Sequence, residues 1–483
     1  MRIFKKEFRL LISACLYLFF IGCAIPKRAS LPQLRPLPET YPADSGKSNI
    51  AILPRDSFFR DPYLKKLMGD VLQNNPDMNI ALQRIAEAGA WLKMSKGALL
   101  PAVGLNAAAG ATKYGKYTME GVGNFDTNLS PNIDEDQRIG TNPTPDFWLG
   151  LNASWEIDVW GRLKELKKSA RHRFIASLQG ADLVKTMLVA QTAIFYYELV
   201  TLDKEHRVLQ ENIRIQEQAA EIVAIQQEAG RATALAVEQF RAQLLNTKAS
   251  LRQVAQQRKE LENQLNALAG RYEGTILRDT ILSLNEALGP DPGTGIPAGL
   301  LLNRPDIKQA ESKMLAAHAD LAAARAAFFP AVNISAYTAL NSFKGDLLFS
   351  AGSLGYQVLG GLTAPIFQKH QLRSHYKIAA AAEKESYYAY EQTALNAYRD
   401  VINHLNEISS LSDIDTFKQQ EVEALTRGVD IAGDLYITGY ASYLEIVAAQ
   451  KSKLEAELQL LAVKRKQVHA FINLYKALGG GWR

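Results

Sequence analysis

One pattern occurs twice in this chain, and that duplication restricts the fold more than any compositional figure. NPDMNIALQRIAEAGAWLKMSKGALLPAVGLNAAAG starts at Asn75, and RPDIKQAESKMLAAHADLAAARAAFFPAVNISAYTAL starts at Arg304. Pro76 matches Pro305 and Pro101 matches Pro330, at an offset of 229 residues. QEAGRATALAVEQ around Gly230 and YITGYASYLEIVAAQ around Gly439 match at an offset of 209. The first half takes up the 20-residue difference with a polar insertion between Pro101 and Gly230. A duplicated chain builds one supersecondary unit twice, so every element has to be found in both copies.

Within each copy the hydrophobic period changes. Val103, Leu105, Ala107 and Ala109 alternate with Gly104, Asn106, Ala108 and Gly110. Phe147, Leu149, Leu151, Ala153 and Trp155 alternate with Trp148, Gly150, Asn152, Ser154 and Glu156. The second copy repeats this with Val332, Ile334, Ala336 and Thr338, then with Leu354, Tyr356, Val358, Gly360 and Leu362. Period two means strands, expected at about 101–112, 147–157, 330–341 and 353–365. Each is about the ~9 to 11 residues that cross a bilayer at a tilt. Two soluble hairpins would show the same alternation, because barrel strands carry a weak signal per segment. Phe147, Trp148 and Trp155 are candidates for an aromatic girdle at a membrane interface.

The segments after the strands read as long helices. No proline occurs from Asp146 to Gly289 or from Ile366 to the C-terminus, and both stretches are rich in Ala, Leu, Gln, Glu, Lys and Arg. At ~1.5 Å per residue, Gly161 to Ala229 would extend roughly 100 Å. Val447, Leu454, Leu461, Val468 and Tyr475 recur every seven residues, as do Val208, Ile215 and Ile222, which predicts side-by-side packing with coiled-coil seams. Gly230 and Gly439 end the long helices, so each half becomes a helical hairpin that turns near 230 or 439. The expected organisation is a signal at 1–22, a linker at 23–60, a first repeat at 61–270, a linker at 271–300, a second repeat at 301–478 and a tail at 479–483.

Arg2, Lys5, Lys6 and Arg9 precede an apolar run from Leu10 to Gly22, the order of a secretory signal. Phe20-Ile21-Gly22-Cys23 resembles a lipobox, with Phe20 in the usual leucine position; the resemblance implies diacylglycerol and an N-acyl chain on Cys23. Cys15 lies within the signal, so the processed chain has no cysteine pair for an internal disulfide. Removing residues 1–22 takes away four Lys or Arg and one Glu, lowering the formal charge from +5 to +2, so charge gives no argument for nucleic acid. The seven histidines are scattered; His370 and His375 lack the i, i+4 spacing that presents two metal ligands together, so no metal or other cofactor is expected. Gly479-Gly480-Gly481 has no helix after it to make a phosphate loop. No enzyme chemistry is legible.

Four membrane strands cannot close a barrel, and open edges leave backbone groups unpaired in lipid. Several copies must therefore pool their strands. Two is the minimum and three would give twelve; periodicity does not choose. The object is then a passage carried on long helices. A trimeric surface coiled-coil protein without a lumen is the alternative from another class, but it would not need two duplicated strand hairpins.

WEIDVWGRL at Trp155, LTAPIFQ at Leu362, LLNRPDIKQAE at Leu301, the two glycine turns and LYKALGGGW near the C-terminus resemble signatures of the TolC-type outer-membrane efflux family, in particular its lipoprotein subgroup. That resemblance covers most of the processed chain. It implies a mainly α protein with a membrane β-barrel: a homotrimer with a twelve-stranded barrel, a long α-helical periplasmic barrel, and a belt drawn from Ala43 to Phe59, Arg271 to Gly299 and the C-terminal tail. It also implies residence in the outer membrane of a Gram-negative bacterium, contact with outer-membrane lipid, and partnership with a periplasmic adaptor and an inner-membrane resistance-nodulation-division pump. A similar duct for type I protein secretion is the alternative within this class.

The resemblance also indicates where the periplasmic end would act. The small residues Gly230, Ala232 and Thr233, and Gly439, Ala441 and Ser442, would form low tips on which an adaptor docks; helix termination alone would also select them. Leu444, Glu445, Ala448 and Lys451 match the family's constriction, with Lys451 replacing an arginine and Ala448 standing where relatives commonly carry an aspartate. Glu445 could supply an acidic ring there, although a solvated helix face is the simpler reading.

Overall fold

The computed structural model describes residues 54–279 and 303–482, together with Pro38. The signal, Cys23, most of the first linker and residues 280–302 lie outside the described residues. After one helical turn at Arg55–Phe58, the first half runs α1 (Pro62–Asn74), α2 (Pro76–Gly97), β1 (Ala102–Thr112), α3 (Met119–Thr127), β2 (Thr144–Ile157), α4 (Arg162–Glu228) and α5 (Ala234–Leu268). The second half runs α6 (Pro305–Ala326), β3 (Ala331–Ser342), β4 (Leu354–Thr363), α7 (Gln371–Ile437) and α8 (Tyr443–Ala477). Helices α2 and α6 have 22 residues each, α4 and α7 have 67 each, and α5 and α8 have 35 each.

Local chemistry starts these helices where the prolines fall. Asp61 caps α1 by accepting from the N–H groups of Tyr63 (2.8 Å) and Leu64 (3.3 Å), and Pro62 sits at a position that needs no donor. Asn75 Oδ1 accepts from Asp77 N (2.8 Å) at the start of α2. The insertion between β1 and β2, which reads as loop in the sequence, holds the nine-residue helix α3, capped where Thr118 accepts from Gly121 N (3.1 Å).

The described residues cluster into two compact units that cut across the two repeats. One comprises Ala88–Phe174 and Met314–Ser386; the other comprises the described parts of Gln33–Glu87, Ile175–Lys313 and Tyr387–Arg483. In the first, the strands form an antiparallel meander in the order β1-β2-β3-β4. In the second, one core joins Phe58, Phe59, Leu64 and Met68 to Leu188–Leu209 of α4, Val254–Leu265 of α5 and Val468–Leu478 around the end of α8. Phe58 stacks on Tyr475 (centroids 3.9 Å apart), and Phe59 meets the same ring edge-on (6.0 Å). Those contacts seat the end of the first linker on the bundle. Residues 271–279 are held there too: Arg278 bonds both oxygens of buried Asp203 (2.5 and 3.1 Å) and Glu262 (3.0 Å).

Two features of helix packing differ from the periodicity. Leu454, Val468 and Tyr475 of α8 are buried as expected, but Ile215 and Ile222 of α4 are exposed within this chain. The more regular seam lies on α5, where Phe240, Thr247, Val254 and Leu261 are buried at seven-residue spacing and the helix packs on α8. Thr247 hides that repeat from an apolar count; its hydroxyl donates to Gln243 O (3.0 Å) and so enters the core already satisfied. Among the described residues, α4 alone is long and apolar enough to cross a bilayer. Its apolar stretch instead supplies Tyr196, Leu199 and Val200 to the bundle core.

Candidate functional site: the strand wall and the helix turns

The register sorts the sheet chemically. Leu105, Leu151, Thr338 and Tyr356 lie in one row across the four strands, as do Val103, Ala153, Ala336 and Val358. Residues opposite one another in a ladder share a face. One face therefore carries Val103, Leu105, Leu149, Leu151, Ile334, Leu340, Leu354, Tyr356, Val358 and Leu362. The other carries Asn106, Asp146, Asn152, Ser154, Glu156, Asn333, Ser335, Asn341 and Gln357, with Trp148, Tyr337, Leu359 and small residues among them. Leu105 is 69% exposed and Val358 72%, so the apolar face has no cover within the chain. An uncovered apolar face on strands of 10 to 14 residues is the arrangement for lipid on one side and water on the other. In the meander, β1 and β4 each keep one unpaired edge.

The aromatic girdle divides. Phe147 and Trp155 share the apolar face near opposite ends of β2, eight residues apart, or ~26 Å along a strand. Trp155 Nε1 donates to Leu99 O (3.0 Å). Trp148 has the opposite parity and lies on the polar face, edge-to-face with Tyr337 (6.5 Å). It is not part of a lipid-facing girdle, because adjacent strand residues point to opposite sides.

Where β2 gives way to α4, Arg162 makes a bidentate pair with Glu156 (2.7 and 3.1 Å), and Asp158 accepts from Leu163 N (2.9 Å) and Lys164 N (2.8 Å). Trp160 stacks on Phe329 (4.8 Å) and donates to Pro330 O (2.7 Å). The WEIDVWGRL motif thus builds the strand-to-helix corner. A groove of about 420 Å³ lies beside it, lined in part by Trp160, Phe329, Pro365 and Phe367.

At the far ends of α4 and α7 the two turns have the same construction. Gly230 (φ +72°) and Gly439 (φ +81°) adopt the left-handed conformation that lets a helix stop abruptly. Arg231 N donates to Gln226 O (2.8 Å), and Tyr440 N to Leu435 O (2.8 Å), the six-residue closure of a Schellman turn. Three residues after each glycine comes a cap: Thr233 accepts from Ala236 N (3.2 Å) and Ser442 from Leu444 N (3.3 Å). Ala232 and Ala441 fill the space between, their N–H groups donating to Gln226 O (3.2 Å) and Leu435 O (3.1 Å). The turns are brought together: Val223, Ala236 and Phe240 pack with Tyr443, Ile446 and Val447, and the Tyr436 hydroxyl bonds Gln226.

Leu444, Glu445, Ala448 and Lys451 fall on one stripe of α8, all exposed, bordered by Val447 and on the side away from Ile446. Leu444 is 54% exposed. Glu445 has a local task beyond those expected of it: its carboxylate accepts from Ser442 N (2.8 Å) and bonds the Ser442 hydroxyl, forming a capping box. The Ser-x-x-Glu spacing carries that signal. The hydrogen bond from Ser442 holds the Glu445 carboxyl below its ordinary pKa of 4.5. Lys451 lies 3.9 Å from Glu455. Cys23 lies outside the described residues. Among those residues no cluster of three His, Cys, Asp or Glu side chains could hold a metal.

The chain matches the family described as outer membrane efflux protein over residues 67–271 and 296–480. It is 28% identical over 476 residues to the cation efflux system protein CusC of Escherichia coli K12, covering 98% of this chain and 99% of that protein. It is 28% identical over 461 residues to the probable outer membrane lipoprotein SilC of Salmonella typhimurium, covering 95% and 93%. With the pyoverdine export outer membrane protein OpmQ of Pseudomonas aeruginosa PAO1 it shares 30% over 474 residues, covering 98% and 96%. A CusC crystal structure superposes with a TM-score of 0.83 at 27% identity, over 95% of this chain and all of that one. Similarity that runs through both repeats, strands and helices alike, makes this chain a member of the outer membrane efflux protein family: a channel component of the outer membrane, not an enzyme.

Proposed function

We propose that this chain is the outer-membrane exit duct of a tripartite efflux system, passively conducting what an inner-membrane resistance-nodulation-division pump expels through a periplasmic adaptor. The observation that carries the reading is the register: one apolar face, one polar face, and two unpaired edges on a sheet too small to close alone. Pairing β1 of one copy with β4 of the next satisfies both edges, and three copies give a twelve-stranded barrel whose polar face lines water. The helix turns then lie at the periplasmic end. Gly230, Ala232, Thr233, Gly439, Ala441 and Ser442 form a low surface on which the adaptor docks. The exposed α8 stripe of Leu444, Glu445, Ala448 and Lys451 points at the axis as the resting constriction. With Ala448 in the stripe, Leu444 supplies the steric closure and Glu445 the charge. Diacylglycerol and an N-acyl chain on Cys23 tether the duct, in keeping with the name of SilC as a lipoprotein.

Planar-bilayer recording of the purified protein tests the duct. Steps of conductance that grow when Leu444 is replaced by serine are expected; a trimeric preparation silent in both forms would sink the proposal. Radiolabelled palmitate should enter the native protein and not Cys23→Ser. Drug or metal sensitivity on gene deletion, rather than loss of a secreted protein, is expected for efflux.

A further inference from the structure

The two long helices that leave the strands begin with exposed positive charge. On α4, Lys164, Lys168 and Arg171 are exposed and spaced i, i+4 and i+7, so they form one stripe. On α7, Arg373 and Lys377 are exposed and four residues apart. At ~1.5 Å per residue all five lie within ~14 Å of the start of their helix. Arg162 and Arg173, off the stripe, are neutralised by Glu156 (2.7 Å) and Asp320 (2.5 Å). Asp158 turns its oxygens to the N–H groups of Leu163 and Lys164, and Glu165 stands 3.9 Å from Lys168, beyond hydrogen-bond reach. Burial, together with the field of Lys168 and Arg171, holds the His172 imidazole below its ordinary pKa of 6.5.

Both stripes lie on one surface. On α4, Arg173 reaches α6 and Phe174 lies against Gly89 of α2, ~100° apart on the helical wheel. In a closed ring of helices the neighbours embrace the lumen across the narrower arc, so the wider arc, which holds Lys164, Lys168 and Arg171, faces outward. A step forward by one residue from the α6 contact thus turns α4 toward the lumen. Helix α7 also runs away from the strands but has α6 on its other flank, so the same step turns it outward. Arg373 and Lys377 each follow by one residue Leu372 and Tyr376, which pack against Leu321 and Phe328. Above the stripes is the end of the apolar sheet face marked by Trp155.

We propose that Lys164, Lys168, Arg171, Arg373 and Lys377 form a basic collar on the outer surface just below the barrel, which holds anionic phospholipid headgroups of the periplasmic leaflet. Two features select a lipid over a soluble anion: the stripes continue the lipid-facing side of the strands, and they start where those strands end. Basic residues beside a membrane-spanning element attract anionic lipid in this way. The collar goes beyond conduction, since it sets the depth of the duct in the membrane. It rests on the duct reading for the closed ring and for the direction in which the helices point.

Lipid retention by the full chain tests the collar. The protein is reconstituted in phosphatidylcholine vesicles containing a minority of phosphatidylglycerol, extracted in mild detergent, and its retained lipid quantified. Wild type should retain phosphatidylglycerol above its share of the vesicle. The triple variant Lys164→Gln, Lys168→Gln, Arg171→Gln and the double variant Arg373→Gln, Lys377→Gln should each lower that enrichment about fivefold or more. Lys164→Arg with Lys168→Arg keeps the charge and should keep the enrichment. Arg252→Gln with Lys259→Gln, exposed on α5, should leave it unchanged. No enrichment in wild type overturns the proposal, as does enrichment that survives both stripe variants or falls equally in the α5 variant. Loss of enrichment on adding inorganic phosphate alone would assign the stripes to a soluble anion and also overturn it. A protein that enriches phosphatidylglycerol through these residues but never conducts breaks the duct reading while supporting the collar.

Discussion

Helices α2 and α6, α4 and α7, and α5 and α8 agree in length to the residue, yet the two repeats close on themselves by different chemistry. In the first, Asn75 Nδ2 donates to Leu268 O at the end of α5 (2.9 Å). In the second, Arg304, at the matching position, donates to Ala477 O at the end of α8 (2.7 Å) and forms a bidentate pair with Asp306. Gly270 and Gly479, both of positive φ, follow those helix ends and abut Asn74 and Arg304. The loops between strands diverge further, with a helix in one and a single 3₁₀ turn in the other. Length is the same in the two halves because each helix runs alongside others and must end where they end. Closure needs only a donor at the right place, so an amide and a guanidinium both serve.

The largest expected effect probes the equivalence of the strands. Leu105→Arg in β1 and Ile334→Arg in β3 each put a charge on the apolar face; the first, mid-strand, should cost roughly 2–4 kcal/mol, and the second, level with Trp155 at the interface, roughly 0–1 kcal/mol. Asn106→Arg and Asn333→Arg, one residue away on the polar face, should insert normally and alter conductance instead. Folding yield into lipid vesicles reads both; equal loss from neighbouring positions would break the two-face assignment.

Next come the closure glycines, where the halves should differ. A Cβ on Gly270 would lie 2.5 Å from Asn74 O, whereas one on Gly479 would lie 3.3 Å from its nearest atoms. Gly270→Ala combines left-handed strain with overlap and should cost ~2–3 kcal/mol; Gly479→Ala, with the strain and only a tight contact on Arg304, ~1–2 kcal/mol. Denaturant titration in detergent would reveal the order, and a reversed order would refute this account of packing at the two ends.

Smaller again is the capping contrast. Arg304→Met leaves Asp306 and the Ala477 carbonyl without their partner and should destabilise by about 2 kcal/mol, against about 1 kcal/mol for Asn75→Ala. If Asn75→Ala proved the more damaging, the two closures would not be interchangeable.

The tips should give the smallest differences. Thr233→Ala and Ser442→Ala each remove one cap, at about 1 kcal/mol, but only the second repeat carries a titratable partner. Because the folded Glu445 carboxyl is held below 4.5, its cap is present above that pH and is lost as pH falls through the lower folded value. Acid should therefore loosen the 439 turn and leave the 230 turn unchanged. Amide exchange across both turns between pH 6 and pH 3 is the check, and parallel behaviour would count against the capping box as its cause.

Much of the architecture is legible in the residues alone. Pro76 and Pro305, Gly230 and Gly439, and the alternation from Val103 and from Val332 act through local backbone rules, so each marks its element wherever the chain goes. What escapes such a reading depends on neighbours that are remote in sequence. The alternation already separates Trp148 from Phe147, but only its register with Asn341 shows that it shares a face with Tyr337 of β3. A threonine masks the α5 seam, and Ile215 and Ile222 find no partner within the single chain. Glu445 reads as a gate charge or a solvated face, although Ser442 three residues earlier already signals a cap.

By itself the sequence determined the duplication, the strands, the long helices and their turning points, since periodicity and special residues operate within a few positions of one another. The tertiary structure decided that the two repeats share their compact units rather than forming one each, and that one cross-strand register aligns every apolar row. It also decided that Asn75 and Arg304 close equivalent joints. Those outcomes depend on which distant segments meet, and the physical reason they stay hidden is that pairing and burial are properties of the contact, not of either residue alone.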